Sequence, residues 1–330
     1  MKRKCFTLVE LLVVIGIIAV LMGILLPALS AVKRTAQRVV CGSNLSGIGK
    51  AMLLYANDQE GDFPKGGGPE SLWATTGKIR DWKNQDGQQY NTTPGAPGSL
   101  ATITCSLYLL IKYADVTPSQ FVCRGDVGTK EFKLSDAGTL PADIDDVSDV
   151  WDFGDATATG FPGNRNSYAY HDPYANTKTS PRQSFALGSY SDPASPLMAD
   201  RNPYLDKNAA SYIDGGSPPT GEDPPSCESS PTPHYSDPDK TGNAAAHQRD
   251  GQNVLFNDSH VGWEKYPNVG ISKDNIWKCW TSTTPPADIC AREVGTVPYT
   301  PIPRPNGTAG PYSDKDAYLV SESNKSAAGT

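Results

Sequence analysis

The sequence predicts an α+β protein in which a long N-terminal transmembrane helix packs on an antiparallel β-sheet within a loop-rich head. Three features support this fold class: an uncharged apolar run from Leu11 to Val32, an apolar stripe at helical spacing behind it, and a hairpin pattern around Phe256. At about 1.5 Å per residue, the apolar run forms a helix of roughly 33 Å, which is enough for the hydrocarbon core of a bilayer.

The predicted helix continues past the apolar run to about Gln59. In this second part, apolar side chains recur at intervals of three and four residues: Leu45, Ile48, Met52 and Tyr55. This spacing places them on one face of a helix. Three glycines weaken the helix, each by up to about 1 kcal/mol relative to alanine: Gly42, Gly47 and Gly49. Because an isolated helix would leave the stripe in water, we expect it to pack against the head.

The head, predicted over residues 61–330, is rich in loops, because Gly and Pro make up about 18% of the chain against roughly 12% on average. Residues 253–256, 257–259 and 260–263 predict a strand, a turn and a return strand. The pattern also predicts a short helix at 107–113, a strand or turn at 121–123, a strand at 167–171 and a buried strand around Met198. We expect the Pro-rich tail from Pro298 to Thr330 to lack fixed structure over its last ten or so residues.

The charge of the chain is divided unevenly. Its net charge is −7, but the first 40 residues hold six cations and one acid, so the chain from Cys41 onward has a net charge of −12. This acidic head argues against a nucleic-acid partner, because phosphate binding needs a basic surface. It is compatible with the binding of divalent cations.

The start of the apolar run carries an unusual charge. Three cations, Lys2-Arg3-Lys4, precede the run, and Glu10 lies within its beginning. A charge in a membrane helix costs on the order of 2.5–3.5 kcal/mol, and less near the interface, so we expect Glu10 to have a partner. A secretory signal peptide cut near residues 28–31 would have a shorter apolar run. A plain membrane anchor explains the length of the run but gives no reason for Glu10.

The segment Phe6-Thr7-Leu8-Val9-Glu10 behind its basic leader resembles the processing site of type IV prepilins and type II secretion pseudopilins. The resemblance implies that a membrane aspartyl prepilin peptidase cuts between Cys5 and Phe6 and methylates the new amino group. It implies that Glu10 pairs with the amino group of Phe6 in a neighbouring subunit, and that Pro27 kinks the helix. Cys5 departs from the family pattern, in which Gly precedes the cut.

The same resemblance implies a domain organisation. Residues 1–5 are expected to form the leader peptide and residues 6–60 a pilin-like helix, with its transmembrane part at about 8–30. Looser similarity over residues 107–123, 167–171 and 247–263 is to a prepilin-like group of planctomycete-type bacteria with a C-terminal His–Asp-Gly motif. The corresponding residues here are His247, Gly251, Asn253, Asp258, Ser259 and His260. Ser259 stands where Gly is usual in the motif.

Cysteines outside the leader number six, and an even number outside the membrane indicates disulfides, with fifteen possible connectivities. Proximity in the sequence favours two local pairs, Cys105–Cys123 and Cys279–Cys290, which leaves Cys41–Cys227. Free buried thiols are the alternative. No Cys-x-x-Cys motif occurs, which argues against a zinc knuckle or a redox centre.

Metal binding stays open at this point. His247, Asp258 and His260 offer two nitrogens and a carboxylate, although the simpler interpretation has His247 and Asp258 brace the hairpin through hydrogen bonds to backbone groups. Asp237 and Asp239 begin a segment that resembles a calcium loop, but its twelfth position is Gln248 instead of a bidentate Glu. A second acidic cluster consists of Asp143, Asp145, Asp146 and Asp149. Ca2+ is therefore a possible ligand, and no cofactor is certain.

The expected function is that of a structural subunit, a pilin or pseudopilin, in a type IV pilus-like or type II secretion-like filament. The expected partners are prepilin peptidase, other subunits, an inner-membrane assembly platform and membrane lipid, with the head periplasmic or extracellular on a single-pass inner-membrane anchor. The alternative is a monomeric anchored binding protein, for example for carbohydrate, that does not assemble. An enzyme is not expected, because the sequence has no nucleophile elbow, zinc-protease motif, Walker loop or dinucleotide fingerprint.

Overall fold

The computed structural model describes residues 8–66, 72–73, 100–126, 128–137, 144–153, 162–174, 184–201, 243–271, 274–277, 311 and 313–320. The helices in these residues are α1 (Leu8–Asp58) and α2 (Ile103–Tyr113). The strands are β1 (Leu72–Trp73), β2 (Leu100–Ala101), β3 (Tyr168–His171), β4 (Pro196–Asp200), β5 (Gln252–Phe256), β6 (Val261–Glu264) and β7 (Leu319–Val320).

Helix α1 runs for 51 residues and has two halves in different environments. Residues 8–36 are exposed throughout, whereas the later half is buried at Cys41, Leu45, Ile48, Gly49, Ala51, Met52 and Ala56. By length and composition, α1 is the one helix among the described residues that is able to cross a membrane. The predicted apolar stripe is thus the buried face of the second half.

The main sheet is antiparallel, with the strand order β6-β5-β4-β3-β7. Neighbouring strands pair Asn253 with Trp263 and Ala199 with Val254. Strands β1 and β2 form a separate parallel pair. The α+β, pilin-like architecture predicted from the sequence, with a long apolar helix and an antiparallel sheet in the head, is confirmed.

The sheet separates two apolar clusters because side chains alternate between its faces. On one face, Tyr168, Tyr170, Met198, Leu255 and Val320 join the stripe of α1 in the larger cluster. On the other face, Ala169, Ala199, Val254, Phe256 and Leu319 pack with Ile276, Trp277 and Ala317. Helix α1 therefore covers one face of the sheet, and the segment around Trp277 covers the other.

Helix α2 starts at Ile103, earlier than the short helix predicted at 107–113, because Thr102 caps it. The Thr102 hydroxyl accepts a hydrogen bond from the Cys105 backbone N–H at 2.9 Å and donates one to Asp152 at 2.6 Å. Burial raises the pKa of Asp152 to about 6, although hydrogen bonds from Thr102, Thr104 and the Phe153 backbone N–H oppose the shift. The cap thus depends on a carboxyl group from a distant loop, which the local sequence pattern does not reveal.

The C-terminal tail contains a strand that the sequence pattern does not predict. Strand β7 lies within the tail and pairs with β3 as an edge of the main sheet. Its residues Leu319 and Val320 are fully buried, one on each face. A two-residue strand is too short for a period-two pattern to be recognised. The last ten residues of the chain lie outside the described residues.

Gly49 lies where α1 crosses β5, and the substitution Gly49→Ala should destabilise the head. A Cβ there would lie 2.7 Å from Cδ1 of the buried Leu255. Overpacking costs about 1–3 kcal/mol, against a gain of about 1 kcal/mol in helix propensity. We expect the free energy of unfolding, measured by urea denaturation of the detergent-solubilised chain, to fall by up to about 2 kcal/mol.

Gly47→Ala is the matched control. The new Cβ would meet Gln120 Oε1 at 3.3 Å, the end of a flexible side chain, so this variant should be as stable as the wild type or more stable. If Gly49→Ala were at least as stable as Gly47→Ala, α1 would not cross the sheet as closely as described.

Candidate functional site

The N-terminal site residues begin just before the described part of the chain. Cys5 and Phe6 lie outside the described residues. Glu10 lies in the first turn of α1 and is exposed, and α1 continues through Pro27. The Ser30 hydroxyl donates a hydrogen bond to the Pro27 carbonyl at 2.8 Å. The kink at Pro27 stays a prediction.

A second candidate site lies where the exposed half of α1 meets the head. The guanidinium of Arg38 lies 3.6 Å from the centre of the Trp263 ring and 3.9 Å from the Asp250 carboxylate. The side-chain amide of Asn44 donates a hydrogen bond to the Val122 carbonyl at 3.2 Å. These contacts connect α1 with β6, with the loop before β5 and with the segment after α2.

A disulfide joins Cys41 on α1 to Cys123, with 5.2 Å between their Cα atoms. The predicted pairs Cys105–Cys123 and Cys41–Cys227 are therefore wrong. Cys105 is a free, buried cysteine whose thiol contacts the Thr102 carbonyl at 3.0 Å. It lies at the start of α2, whereas Cys123 lies beyond the end of α2 and against α1. Sequence proximity does not show such a difference in position. The predicted pair Cys279–Cys290 lies outside the described residues, as does Cys227.

His247 lies beside this disulfide, in a short 3₁₀ turn before β5. Its Nε2 atom is 3.6 Å from Cys123 Sγ and 3.3 Å from Asp200 Oδ2. Asp200, the last residue of β4, is completely buried. Its Oδ2 atom accepts hydrogen bonds from Asn253, from the backbone N–H at 2.7 Å and from the side-chain amide at 3.3 Å. His247 and Asn253 of the predicted motif thus converge on a carboxylate that the motif does not contain.

Gly251 has a structural reason for its place in the motif. Its φ of +146° and the Glu264 carbonyl, which would lie 2.4 Å from a Cβ, leave no room for a side chain. The neighbouring Trp263 ring packs edge-on against the His247 imidazole, with 5.5 Å between ring centres. The close backbone approach at Gly251 therefore allows β6 to hold Trp263 over His247.

The other motif residues lie on the exposed turn of the β5–β6 hairpin. The Asp258 carboxylate accepts a hydrogen bond from the His260 backbone N–H at 3.1 Å and also contacts His260 Nδ1. These hydrogen bonds hold the pKa of Asp258 below its usual value. The imidazole of His260 stacks on Phe256, with ring centres 4.4 Å apart. His247 is buried and its contacts are elsewhere, so the structure contradicts a metal site made of His247, Asp258 and His260.

The acidic segments show no calcium site within the described residues. Asp146 and Asp149 form a capping box around a 3₁₀ turn, in which Asp149 Oδ2 accepts hydrogen bonds from the backbone of Asp145 and Asp146. The carboxylates of Asp146 and Asp149 thus accept hydrogen bonds from the backbone of the same turn. Asp143, Asp237 and Asp239 lie outside the described residues.

Cys105 is the free thiol among the described cysteines, and its surroundings make it unreactive. Burial, together with the nearby Asp152 carboxylate, raises the pKa of its thiol to about 12. Because the thiolate is the nucleophilic form, a thiol with so high a pKa is a poor nucleophile. The cluster around Cys105 therefore has a packing role.

Residues 1–26 match a family described as the prokaryotic N-terminal methylation motif. The chain carries a prepilin-type N-terminus. This motif, together with the apolar helix, fits a membrane-anchored protein that is a substrate of prepilin peptidase. The more specific resemblance to a planctomycete-type group stays a prediction. No curated protein and no solved structure matches the chain.

The partners of His247 are not evident from the sequence. The sequence predicts a buried strand around Met198 but does not identify Asp200, which ends the strand β4 with its side chain buried. The signal in the sequence for a buried Asp200 is its place directly after four apolar or small residues of a buried strand. Cys41 and Cys123 are far from His247 in the sequence, so the sequence does not indicate that they contact it.

Replacement of Ser259 by Gly should stabilise the head. Ser259 has a φ of +68°, in the left-handed region, which costs a residue with a side chain roughly 1–2 kcal/mol. Because glycine adopts this conformation freely but is more flexible when unfolded, we expect a net gain of about 0.5–1 kcal/mol in the free energy of unfolding, measured by urea denaturation.

Ser43→Gly, at an exposed position of α1, is the control and should lose up to about 0.5 kcal/mol through lower helix propensity. A Ser259→Gly variant no more stable than the wild type would show that the turn has a different backbone conformation.

Proposed function

We propose that this chain is a structural subunit, a pilin or pseudopilin, of a type IV pilus-like or type II secretion-like filament. The observation that carries the proposal is the division of α1 behind a prepilin-type N-terminus. The first half exposes its apolar side chains, whereas the second half is built into the head. Such a helix is able to exchange its surroundings without any change in the fold of the head.

The exposed surface of α1 supports this role. Leu8, Ile24 and Leu29 are 77%, 69% and 64% exposed, and the apolar surface continues around the helix. A surface of this size needs lipid or other apolar helices to cover it. In the membrane, lipid covers it; in a filament, the same face packs against the helices of neighbouring subunits, where van der Waals contacts replace those with lipid.

Processing gives Glu10 its role in the proposal. Removal of residues 1–5 leaves a methylated amino group on Phe6, and Glu10 then follows four positions later. The pairing of this amine with Glu10 of a neighbour offsets part of the roughly 2.5–3.5 kcal/mol that a lone charge costs in a membrane. The pairing also sets the axial stagger between subunits, which the inner-membrane assembly platform then propagates.

The test is the variant Glu10→Gln, which removes the charge and keeps the size of the side chain. We expect the leader to be removed as in the wild type, as shown by intact mass. The amount of sheared filament recovered from the producing cells should fall at least tenfold, because the amine of Phe6 loses its charged partner. Glu60→Gln is the matched control: Glu60 is exposed just behind α1 and should leave both measurements unchanged.

This experiment distinguishes a filament subunit from an anchored binding protein. If filaments form normally with Glu10→Gln, the charge pair does not recruit subunits. If the wild type is processed but forms no filament at all, the chain is an anchored monomer, as expected of the alternative binding protein.

A further inference from the structure

The junction between α1 and the sheet contains a group of side chains that filament assembly does not explain. Cys41, Cys123, Asp200 and His247 are all buried, and their potential ligand atoms all lie within 4.8 Å of one another. The four residues come from α1, the segment after α2, the end of β4 and the turn before β5. Four elements that are distant in sequence thus each bring one potential metal ligand to the same point.

We propose that the dithiol form of the protein binds a divalent metal ion of the zinc class at this junction. The ligands are the thiolates of Cys41 and Cys123, Nε2 of His247 and the carboxylate of Asp200. Two thiolates, an imidazole and a carboxylate are all established types of zinc ligand, and thiolates favour soft ions over Ca2+ or Mg2+. Four protein ligands make a closed site of the structural kind, without an open position for catalysis.

The spacing of the ligands agrees with tetrahedral coordination. Bonds of about 2.0–2.3 Å to a central ion place neighbouring ligands roughly 3.3–3.8 Å apart. His247 Nε2 lies 3.6 Å from Cys123 Sγ and 3.3 Å from Asp200 Oδ2. The histidine and the carboxylate therefore already have the separations of a metal site. All four ligand atoms lie within 4.8 Å of one another, and reduction frees the two sulfurs to move apart to the spacing of metal ligands.

The surroundings of the four residues resemble the outer shell of a metal site. Asn253 donates two hydrogen bonds to Asp200 Oδ2, which orient the carboxylate. The Gly125 backbone N–H donates a hydrogen bond to Cys123 Sγ at 3.3 Å, a contact that stabilises a thiolate. Asp200 Oδ1 is buried, and no donor among the described residues reaches it. A buried carboxylate with one oxygen lacking a donor is costly in a protein, and a cation bound at Oδ2 compensates the negative charge of the whole group.

The disulfide and the metal site exclude each other, because each requires the same two sulfur atoms. In the oxidised form, His247 and Asp200 remain, and two ligands are too few for a closed site. Oxidation by a disulfide donor forms the Cys41–Cys123 bond, breaks the disulfide of the donor and releases the ion. The two electrons pass from the thiolates to the donor, which leaves as two thiolates that take up protons from water. The site therefore makes the stability of the junction dependent on redox state and on metal.

The proposed metal site lies where α1 meets the sheet of the head, and it does not depend on filament assembly. Its test uses the full chain in detergent, reduced with a phosphine that does not bind metal, then incubated with Zn2+ and dialysed without oxygen. We expect the reduced wild type to retain one zinc ion per chain more than the double variant C41S/C123S, which keeps every other cysteine. The oxidised wild type should not retain this ion. Co2+ in place of Zn2+ should give a thiolate-to-metal charge-transfer band and the intense visible bands of tetrahedral cobalt.

The two histidines of the motif give a matched pair of variants. His247→Gln should weaken zinc binding by the reduced chain at least tenfold, whereas His260→Gln, at an exposed position, should bind zinc like the wild type. Asp200→Asn should weaken binding in the same way as His247→Gln. Equal zinc retention by the reduced wild type and C41S/C123S would overturn the proposal, as would equal affinities of the two histidine variants.

A second measurement needs no substitution and covers the case in which a variant fails to fold. Reduced wild-type protein is allowed to re-form its disulfides with oxidised glutathione, with and without Zn2+, and the Cys41–Cys123 peptide pair is quantified by mass spectrometry. We expect zinc to slow the formation of this pair at least tenfold. The same rate with and without zinc would overturn the proposal.

Discussion

The docking of the second half of α1 on the sheet is the interaction on which the rest of the structure depends. Leu45, Ile48 and Met52 are completely buried in it, and burial of each such side chain contributes about 1.5–3 kcal/mol. The same contact fixes the direction in which the exposed first half leaves the head. The first half therefore needs no packing of its own within the monomer, and its apolar surface stays available for lipid or for neighbouring helices.

The junction beside Cys41 secures this docking at the point where the helix leaves the head. The disulfide to Cys123 closes a chain segment of 82 residues, which in the loop-entropy view is worth about 4–5 kcal/mol. Arg38 on Trp263 and Asn253 on Asp200 add contacts around the same point. Force or torque applied to the helix during assembly would reach the head through this region. With a junction that depends on redox state and on metal, these two conditions would change how firmly α1 is connected to the head.

The parts of the structure that could be predicted are those that follow from local sequence patterns. The apolar run, the stripe of α1 and the hairpin at β5 and β6 each follow from a repeat of a few residues. The parts that could not be predicted depend on contacts between distant segments. The Cys41–Cys123 pair, the buried Asp200 beside His247 and the edge strand β7 all join residues that only the complete fold brings together.

The His–Asp-Gly-like motif illustrates the same division. Its residues were recognised together, but the structure separates them into a buried part, with His247 and Asn253, and an exposed turn, with Asp258 and His260. A motif that is compact in sequence thus contributes both to the buried contacts of Asp200 and to the exposed turn of the hairpin.

The proposed function depends first on the processing of the chain as a prepilin. The most direct measurement is the intact mass and N-terminal sequence of the protein isolated from its native envelope. We predict a chain that begins at methylated Phe6. A chain that begins at Met1 would show that Cys5 blocks the peptidase, and a chain that begins near Ala31 would show a cleaved secretory signal; either result would contradict processing as a prepilin.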